Sequence, residues 1–262
     1  MLYIFVLYLM IMDTRYSRNR LYLTPEEQET IKDYPILLGG CGIGSVIAEC
    51  ALRLGFENIT IIDGDQVEVS NLNRQNYTED DVSTNKVDAI KKRLLSINKK
   101  AKIRVHNCFL TPENVEEYID GHKVAINALD FTSDVPLLFD EICQKKNIPV
   151  LHPYNLGWGG LLTVITPKGM PLGSISKKDE KFNEVKMVEY VSSYKKFWRD
   201  PQIWIDEIIE KYMNEKEVLP PPQLSIASWM VAAMSAHVLF NIATKKEIKK
   251  FPEFYLSTIF ND

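Results

Sequence analysis

Arg74 and Lys86 set two cations between two carboxylates, Asp63 and Asp130, along one stretch of the chain. Those four side chains suit a nucleoside triphosphate. A guanidinium forks onto phosphate oxygens, an ammonium adds a point charge, and a carboxylate can hold the magnesium that neutralises the phosphates. Phosphoryl chemistry asks a protein mainly for positioning and charge neutralisation. The set is coherent if a carboxylate attacks the α-phosphorus: such a nucleophile is already ionised at neutral pH, so no general base is required and alignment carries most of the acceleration. Arg74, Lys86 and Asp130 are therefore candidate catalytic residues, with Asp130 the candidate magnesium ligand. Asn71 and Gln75 flank Arg74 in the string NLNRQ and join the candidate ATP-binding set. Taken singly, Arg74 and Lys86 read as solvated surface charges and Asp130 as a turn residue; the ordered set reads as a site.

The elements that must position these residues are legible around them. PILLGG is a buried strand, and CGIGSVIAECALRLG carries small and apolar residues at helical spacing, closing at Gly55 as a helix C-terminus does. A phosphate belongs at that helix's start, where free backbone N–H groups and the dipole favour an anion. Gly39, Cys41, Gly42 and Gly44 line this turn, with Cys41 where the second glycine of G-x-G-x-x-G normally stands. The turn alone fits either a nucleotide site or a tight strand-to-helix connection. NITIIDGD is a second strand ending in acid, which places Asp63 to accept hydrogen bonds from ribose hydroxyls, with Asp65 beside it. KVAINALD is a third apolar strand, ended by Asp130. In an open parallel sheet these strand ends converge at one edge.

Alternation continues beyond this core. Ser83 to Ser96 reads as a helix, AKIRVHNCFL as a strand, and TPENVEEYI as a short helix capped by Thr111. VPLLFDEICQKKN is an amphipathic helix and IPVLHPYN a buried strand, while GWGGLLTVITP either crosses the sheet or turns antiparallel. Residues 177–214 form two amphipathic helices split at Asp200-Pro201, Pro220 to Pro222 make a stiff linker, SIASWMVAAMSAHVLFNIAT is a mostly buried helix, and EFYLSTIF a closing strand. The fold expected is α/β: a Rossmann-like, mostly parallel sheet with helices on both faces, continued by a helical and antiparallel C-terminal part. Residues 34–167 form the nucleotide-binding part and 168–262 the rest of one domain that begins at residue 13.

Composition bounds the reading. A chain of 262 residues with 45% hydrophobic content can bury a substantial core. A net charge of −4 and a pI near 5.7 argue against bulk attraction to nucleic acid. Cys41, Cys50, Cys108 and Cys143 are scattered without paired spacing, which suggests reduced thiols in a cytoplasmic protein. The opening MLYIFVLYLMIM is too short to span a membrane and lacks a cleavage site. Residues 1–12 are either an upstream start, with Met10 or Met12 the true beginning, or an apolar arm. No membrane association is expected.

From about Arg15 to Pro167 the sequence resembles the ThiF/MoeB/HesA family, the adenylyltransferases related to ubiquitin-activating enzymes. RYSRN, the glycine turn, DGDQVEVSNLNRQNY, the spaced Lys86, SINKKAKI and the ALD of the third strand carry the likeness. The resemblance implies an enzyme that uses ATP and magnesium to adenylate the C-terminal carboxylate of a small ubiquitin-like or sulfur-carrier protein ending in Gly-Gly, releasing pyrophosphate. It implies that Asp63 binds ribose, Asn71, Arg74 and Lys86 the phosphates and Asp130 magnesium, and that Arg18 of RYSRN reaches the partner subunit's site in a homodimer. Cys41 and Ser83 depart from expected glycines, and Asp134-Val135 stand where the family often has an arginine. No structural zinc is expected, because no cysteine follows Cys143 and the family's two C-x-x-C pairs cannot exist. A thioester on the chain's own cysteine is not expected either, since Cys143 reads as the apolar face of a helix. His152 and Trp158 either touch a substrate tail or pack. Two other readings stay open: a tRNA threonylcarbamoyladenosine dehydratase of the TcdA kind, which CFLTPENVEEYI resembles, and a non-catalytic scaffold of the same fold.

Overall fold

Every residue of strand β1 (Ile36–Gly39) is buried, as a strand covered by helices on both faces must be. The structure is a computed structural model that describes residues 13–176, 180–217 and 219–260. The apolar run 1–12 lies outside them. β1 lies between β2 (Asn58–Ile62) and β4 (Val124–Asn127), with β3 (Lys102–His106) beyond β2 and β5 (Val150–Asn155) beyond β4, all parallel. β6 (Gly159–Ile165) and β7 (Phe254–Thr258) continue the sheet antiparallel, in the order β3-β2-β1-β4-β5-β6-β7. The segment GWGGLLTVITP thus turns back on β5, through Gly157 at φ 74°, a conformation glycine adopts without strain.

Side chains alternate between two cores. Ile36, Leu38, Ile59, Ile61, Val124 and Ile126 point to one, and Leu37, Ile62 and Ala125 to the other. The first core is covered by α2 (Ile43–Leu54), α3 (Lys86–Ile97) and α8 (Ser225–Ala243). The second is covered by α4 (Val115–Ile119), α5 (Val135–Lys145), α6 (Glu184–Phe197) and α7 (Ile203–Met213). The expected α/β class, parallel core and antiparallel C-terminal continuation are all present. Among the described residues α8 has the length and apolarity to cross a membrane; it packs on α2, β5 and β6.

Three local expectations need correction, and one helix has to be added. Helix α1 (Pro25–Lys32) was not anticipated, although Thr24 and Glu27 form a reciprocal capping box. Helix α3 starts at Lys86, not Ser83, because residues 83–86 pair with 65–67: Ser83 donates to the Val67 carbonyl, Val67 to Thr84 and Lys86 to Asp65. The cap of α4 is Asn114, not Thr111; the Asn114 carboxamide accepts from Thr111 N–H and donates to the Phe109 carbonyl, so a turn precedes the helix. Finally, β4 ends at Asn127, leaving Asp130 on the loop beyond it.

Candidate functional site

The chain runs outward from β1 to β2 and β3, then crosses to β4 on the other side of β1. Open α/β sheets bind ligands at such a switch point, outside the carboxyl ends of the strands. Here those ends are Gly39, Ile62 and Asn127. Gly40 has φ 91°, donates to the Ile62 carbonyl at 2.9 Å, and leaves so little room that a Cβ would lie 2.2 Å from the Ala128 oxygen. Only glycine fits there. Gly44 is similarly tight, its missing Cβ being 2.5 Å from Leu38, which lets α2 approach β1.

Gly42 caps α2, and among the described residues the N–H groups of Gly42, Ile43 and Gly44 have no protein acceptor. Three amides at a helix N-terminus form a site for an anion. Cys41 does not obstruct it. Its side chain is fully buried in the first core, burial pushes the thiol up to about 12, and its backbone N–H donates to Asp63 Oδ2 at 2.5 Å. The other Asp63 oxygen accepts from Asp65 N–H at 2.7 Å. Loss of hydration raises the Asp63 pKa above its ordinary value against these two backbone bonds and Lys86.

The NLNRQ loop is tied to α2 from beneath. Asn76 N–H donates to Ser45 Oγ at 3.0 Å, the Asn76 amide to Glu49 Oε2 at 2.6 Å, and Tyr77 OH to the Cys41 carbonyl at 2.7 Å. Glu49, buried, also accepts from Arg53 and Arg93. Asn71 Oδ1 accepts from Glu68 N–H at 3.0 Å, which orients the carboxamide and leaves its amino group for a ligand. The Gln75 carboxamide lies over Gly42, 3.3 Å from where a Cβ would be, and its Oε1 is buried without a partner. Arg74 donates through Nε to Gln223 Oε1 at 2.5 Å and through Nη1 to the Ser70 carbonyl and Asn73 Oδ1, each at 2.8 Å.

Lys86 opens α3 and reaches Asp65 Oδ2 at 2.8 Å. Asp130 is exposed and makes no hydrogen bond among the described residues; partial desolvation, Glu184 and Asp65 raise its pKa while Lys86 and Arg74 oppose the rise. Asp130 is thus electrostatically coupled to Asp65, Arg74 and Lys86, and Lys86 to Asp63 as well. Behind the loop, Asn127 donates to Asp140 Oδ1 at 2.9 Å and to the Pro136 carbonyl at 2.8 Å, and His152 Nε2 meets the same Asp140 oxygen at 2.9 Å. His152 is therefore an internal strut, whereas Trp158 is half exposed at the β5–β6 turn.

Arg18 stands apart. Its 3-10 helix (Thr14–Asn19) docks on the far end of α2, with Tyr16 OH donating to Leu52 O and Asn19 to Leu54 O. At 1.5 Å per residue, α2 separates that end from the glycine turn by about 18 Å, and Arg18 is exposed. It does not enter its own site. Sequence reasoning missed three neighbours: Gln223 on Arg74, Glu184, whose Oε1 accepts from Phe131 N–H at 3.1 Å, and exposed Phe109, whose ring covers Gly64. Only Gln223 had a signal, its place at the end of a proline run.

The free amides, the Gln75 amino group over Gly42 and the two cations fit the phosphates of a nucleotide. Among the described residues no three His, Cys, Asp or Glu side chains could hold a metal alone. Magnesium in such sites takes one or two carboxylates and completes its shell with phosphate, and Asp130 has a carboxylate free for it.

A family model described as the ThiF family matches residues 16–260. The sulfur carrier protein ThiS adenylyltransferase of Bacillus subtilis is 33% identical over 166 residues, 61% of this chain and 49% of that protein. The tRNA threonylcarbamoyladenosine dehydratase of the same organism is 34% identical over 140 residues, 52% of this chain and 55% of that protein. The chain thus spans about half the length of these curated relatives. Among solved structures, E. coli MccB with ATP has a TM-score of 0.67 at 21% identity, covering 89% of this chain and 64% of that one. PaaA has a TM-score of 0.66 at 20% identity, covering 94% and 69%. At these identities the likeness is one of fold.

Proposed function

Because the chain belongs to the ThiF family, we propose that it is an ATP-dependent adenylyltransferase that activates the C-terminal carboxylate of a small ubiquitin-like or sulfur-carrier protein ending in Gly-Gly. The observation that carries this reading is the electrostatic coupling of Arg74 and Lys86 to Asp130, at the sheet edge where the amides of Gly42 to Gly44 are free and the Asp63 carboxylate accepts from Cys41 N–H. A carboxylate oxygen of the carrier attacks the α-phosphorus, the bond to the bridging oxygen breaks, and pyrophosphate leaves. Lys86 and Arg74 neutralise charge that grows on the phosphate oxygens in the transition state, and the α2 amides hold the phosphates without reorganising. Asp63 orients the ribose and Asp130 holds magnesium, which supplies the remaining charge neutralisation when bound. Gln75 donates to a phosphate through the amino group that lies over Gly42.

The enzyme acts as a symmetric homodimer in which Arg18 enters the neighbouring site. Its distance from its own glycine turn supports that direction, and a two-fold interface would give each site one arm. The four free cysteines support a reducing, cytoplasmic setting. ATP to pyrophosphate exchange tests the reading: exchange should depend on a carrier ending in Gly-Gly, and its absence with every such carrier would refute it. A second reading has a specific observation behind it, the 34% identity to a tRNA threonylcarbamoyladenosine dehydratase. That enzyme class would show exchange or AMP formation with modified tRNA in place of a carrier. The acidic net charge and short basic runs favour the first.

A further inference from the structure

The guanidinium of Arg74 is oriented by a residue 149 positions away in sequence. Gln223 follows Pro220 to Pro222, a run whose fixed backbone removes most conformational freedom from the segment leading into α8. It is pinned on both sides. Its Oε1 accepts from Arg74 Nε at 2.5 Å, and its backbone carbonyl accepts from Asn73 Nδ2 at 3.3 Å. The next residue, Leu224, exchanges bonds with Asn155 at the end of β5: Leu224 N–H donates to Asn155 Oδ1 at 3.3 Å, and Asn155 Nδ2 donates to the Leu224 carbonyl at 2.8 Å and to Ser228 Oγ at 3.0 Å. The linker therefore spans from the NLNRQ loop to β5 across the carboxyl edge of the sheet.

This matters for what Arg74 can do. An arginine has five N–H groups in a rigid plane, so fixing some fixes the rest. Nε is taken by Gln223, and both protons of Nη1 by Ser70 and Asn73. Among the described residues Nη2 alone has no protein acceptor. Ser70 and Asn73 belong to the same loop as Arg74 and would move with it; among the described residues Gln223 is its one side-chain tether to a separate element. We infer that Gln223 is a positioning residue, which ties Arg74 to the sheet edge through the linker and presents Nη2 to the triphosphate. The inference rests on the proposed reading of the site and adds a residue that the sequence resemblance does not supply.

The test uses full-length Gln223→Met, which keeps side-chain volume but removes the acceptor, and Gln223→Glu, which restores an oxygen. In ¹⁵N spectra the Arg74 Nε–H signal, assigned by its loss in Arg74→Lys, should be protected from exchange in wild type and Gln223→Glu and lose protection in Gln223→Met. In carrier-dependent pyrophosphate exchange, Gln223→Met should lower kcat about tenfold while KM for ATP changes less than about threefold, because misplacing a transition-state group lowers turnover more than ground-state binding. Combined with Arg74→Lys, Gln223→Met should add little further loss. An unchanged Nε–H signal, an unchanged kcat, or a full tenfold loss on top of Arg74→Lys would each overturn the inference. A wild type that exchanges normally while Gln223→Met is silent sinks Gln223 alone. A wild type that neither binds Mg-ATP nor exchanges sinks the reading of the site, and the catalytic part of the inference with it.

Discussion

Lys86 Nζ lies 2.8 Å from Asp65 Oδ2, and the pair is lopsided: the lysine side chain is 9% exposed and the aspartate 48%. A buried ammonium must have a partner, and Asp65 supplies one while a phosphate oxygen could replace it at little rearrangement. Lys86→Ala and Arg74→Ala should each reduce carrier-dependent exchange by about a hundredfold or more, since each removes charge aimed at the transition state. Both should keep the wild-type circular dichroism spectrum. Exchange within about threefold of wild type in both variants would refute the assignment of these cations.

The Arg18 arm makes a separate prediction. If each arm serves the neighbouring site, mixing Arg18→Ala with Arg74→Ala should restore part of the activity missing from each, because one of the two sites in the mixed dimer is then intact. Subunit exchange is verified first by mass spectrometry of differently tagged chains. No recovery, or a monomer at assay concentration by light scattering, would leave Arg18 as surface charge.

Backbone strain sets a stability prediction. Ser83 sits at φ 66°, the left-handed region that favours glycine, at the start of the segment that carries Lys86. Ser83→Gly should therefore stabilise by about 1 kcal/mol, a rise of roughly 2 to 4 °C in Tm for a chain of this size. Gly40→Ala should do the reverse and more, because it forces a Cβ against the Ala128 carbonyl. A Ser83→Gly protein that melts below wild type would contradict the backbone assignment.

The contrast between Ser83 and Gln223 shows where sequence stops being informative. Strand β1, the glycine turn, α2 and β2 were readable because their signals are local: apolar runs, a helical period and a capping glycine within a few residues. Parallel topology indicated which edge of the sheet Asp63 would occupy, but not that the third strand stops at Asn127 and leaves Asp130 on the loop beyond. The start of α3 was misplaced because residues 83–86 are claimed by pairing with 65–67, a competition that helical periodicity does not register. Helix α1 was missed despite a local signal, the Thr24 and Glu27 pair. The tether from Gln223 to Arg74 joins two loops that only the folded sheet brings together.

Thiol chemistry gives a fourth prediction. Cys41 and Cys143 are fully buried, and burial raises both thiols above their ordinary range, so neither is a ready nucleophile. Cys50, on α2, is raised by burial as well. Serine or alanine at all four cysteines, in a protein confirmed folded, should leave adenylation within about twofold of wild type. An adduct between enzyme and carrier that hydroxylamine cleaves, and that is lost on replacing one cysteine, would show that a thioester forms after all.

Asp130 couples function to stability through pH. Its folded-state pKa is raised, first by desolvation and then by Glu184, so the native state holds this proton at pH values where the unfolded chain has released it. Stability from this group therefore falls as pH climbs from the ordinary aspartate range through the raised folded value, and the penalty persists above it. Asp130→Asn removes the charge and with it the penalty. Because the side chain is exposed and water screens its charge, the variant should melt only slightly higher than wild type at pH 7 to 8, and the gain should shrink to nothing as pH drops below the ordinary aspartate range, where both proteins carry a neutral side chain. The same substitution should abolish magnesium-dependent exchange, the trade expected of a carboxylate kept for its ligand. Scanning calorimetry across pH checks the sign: a gain that grows toward acid, or a loss at neutral pH, would show that Asp130 stabilises the empty site.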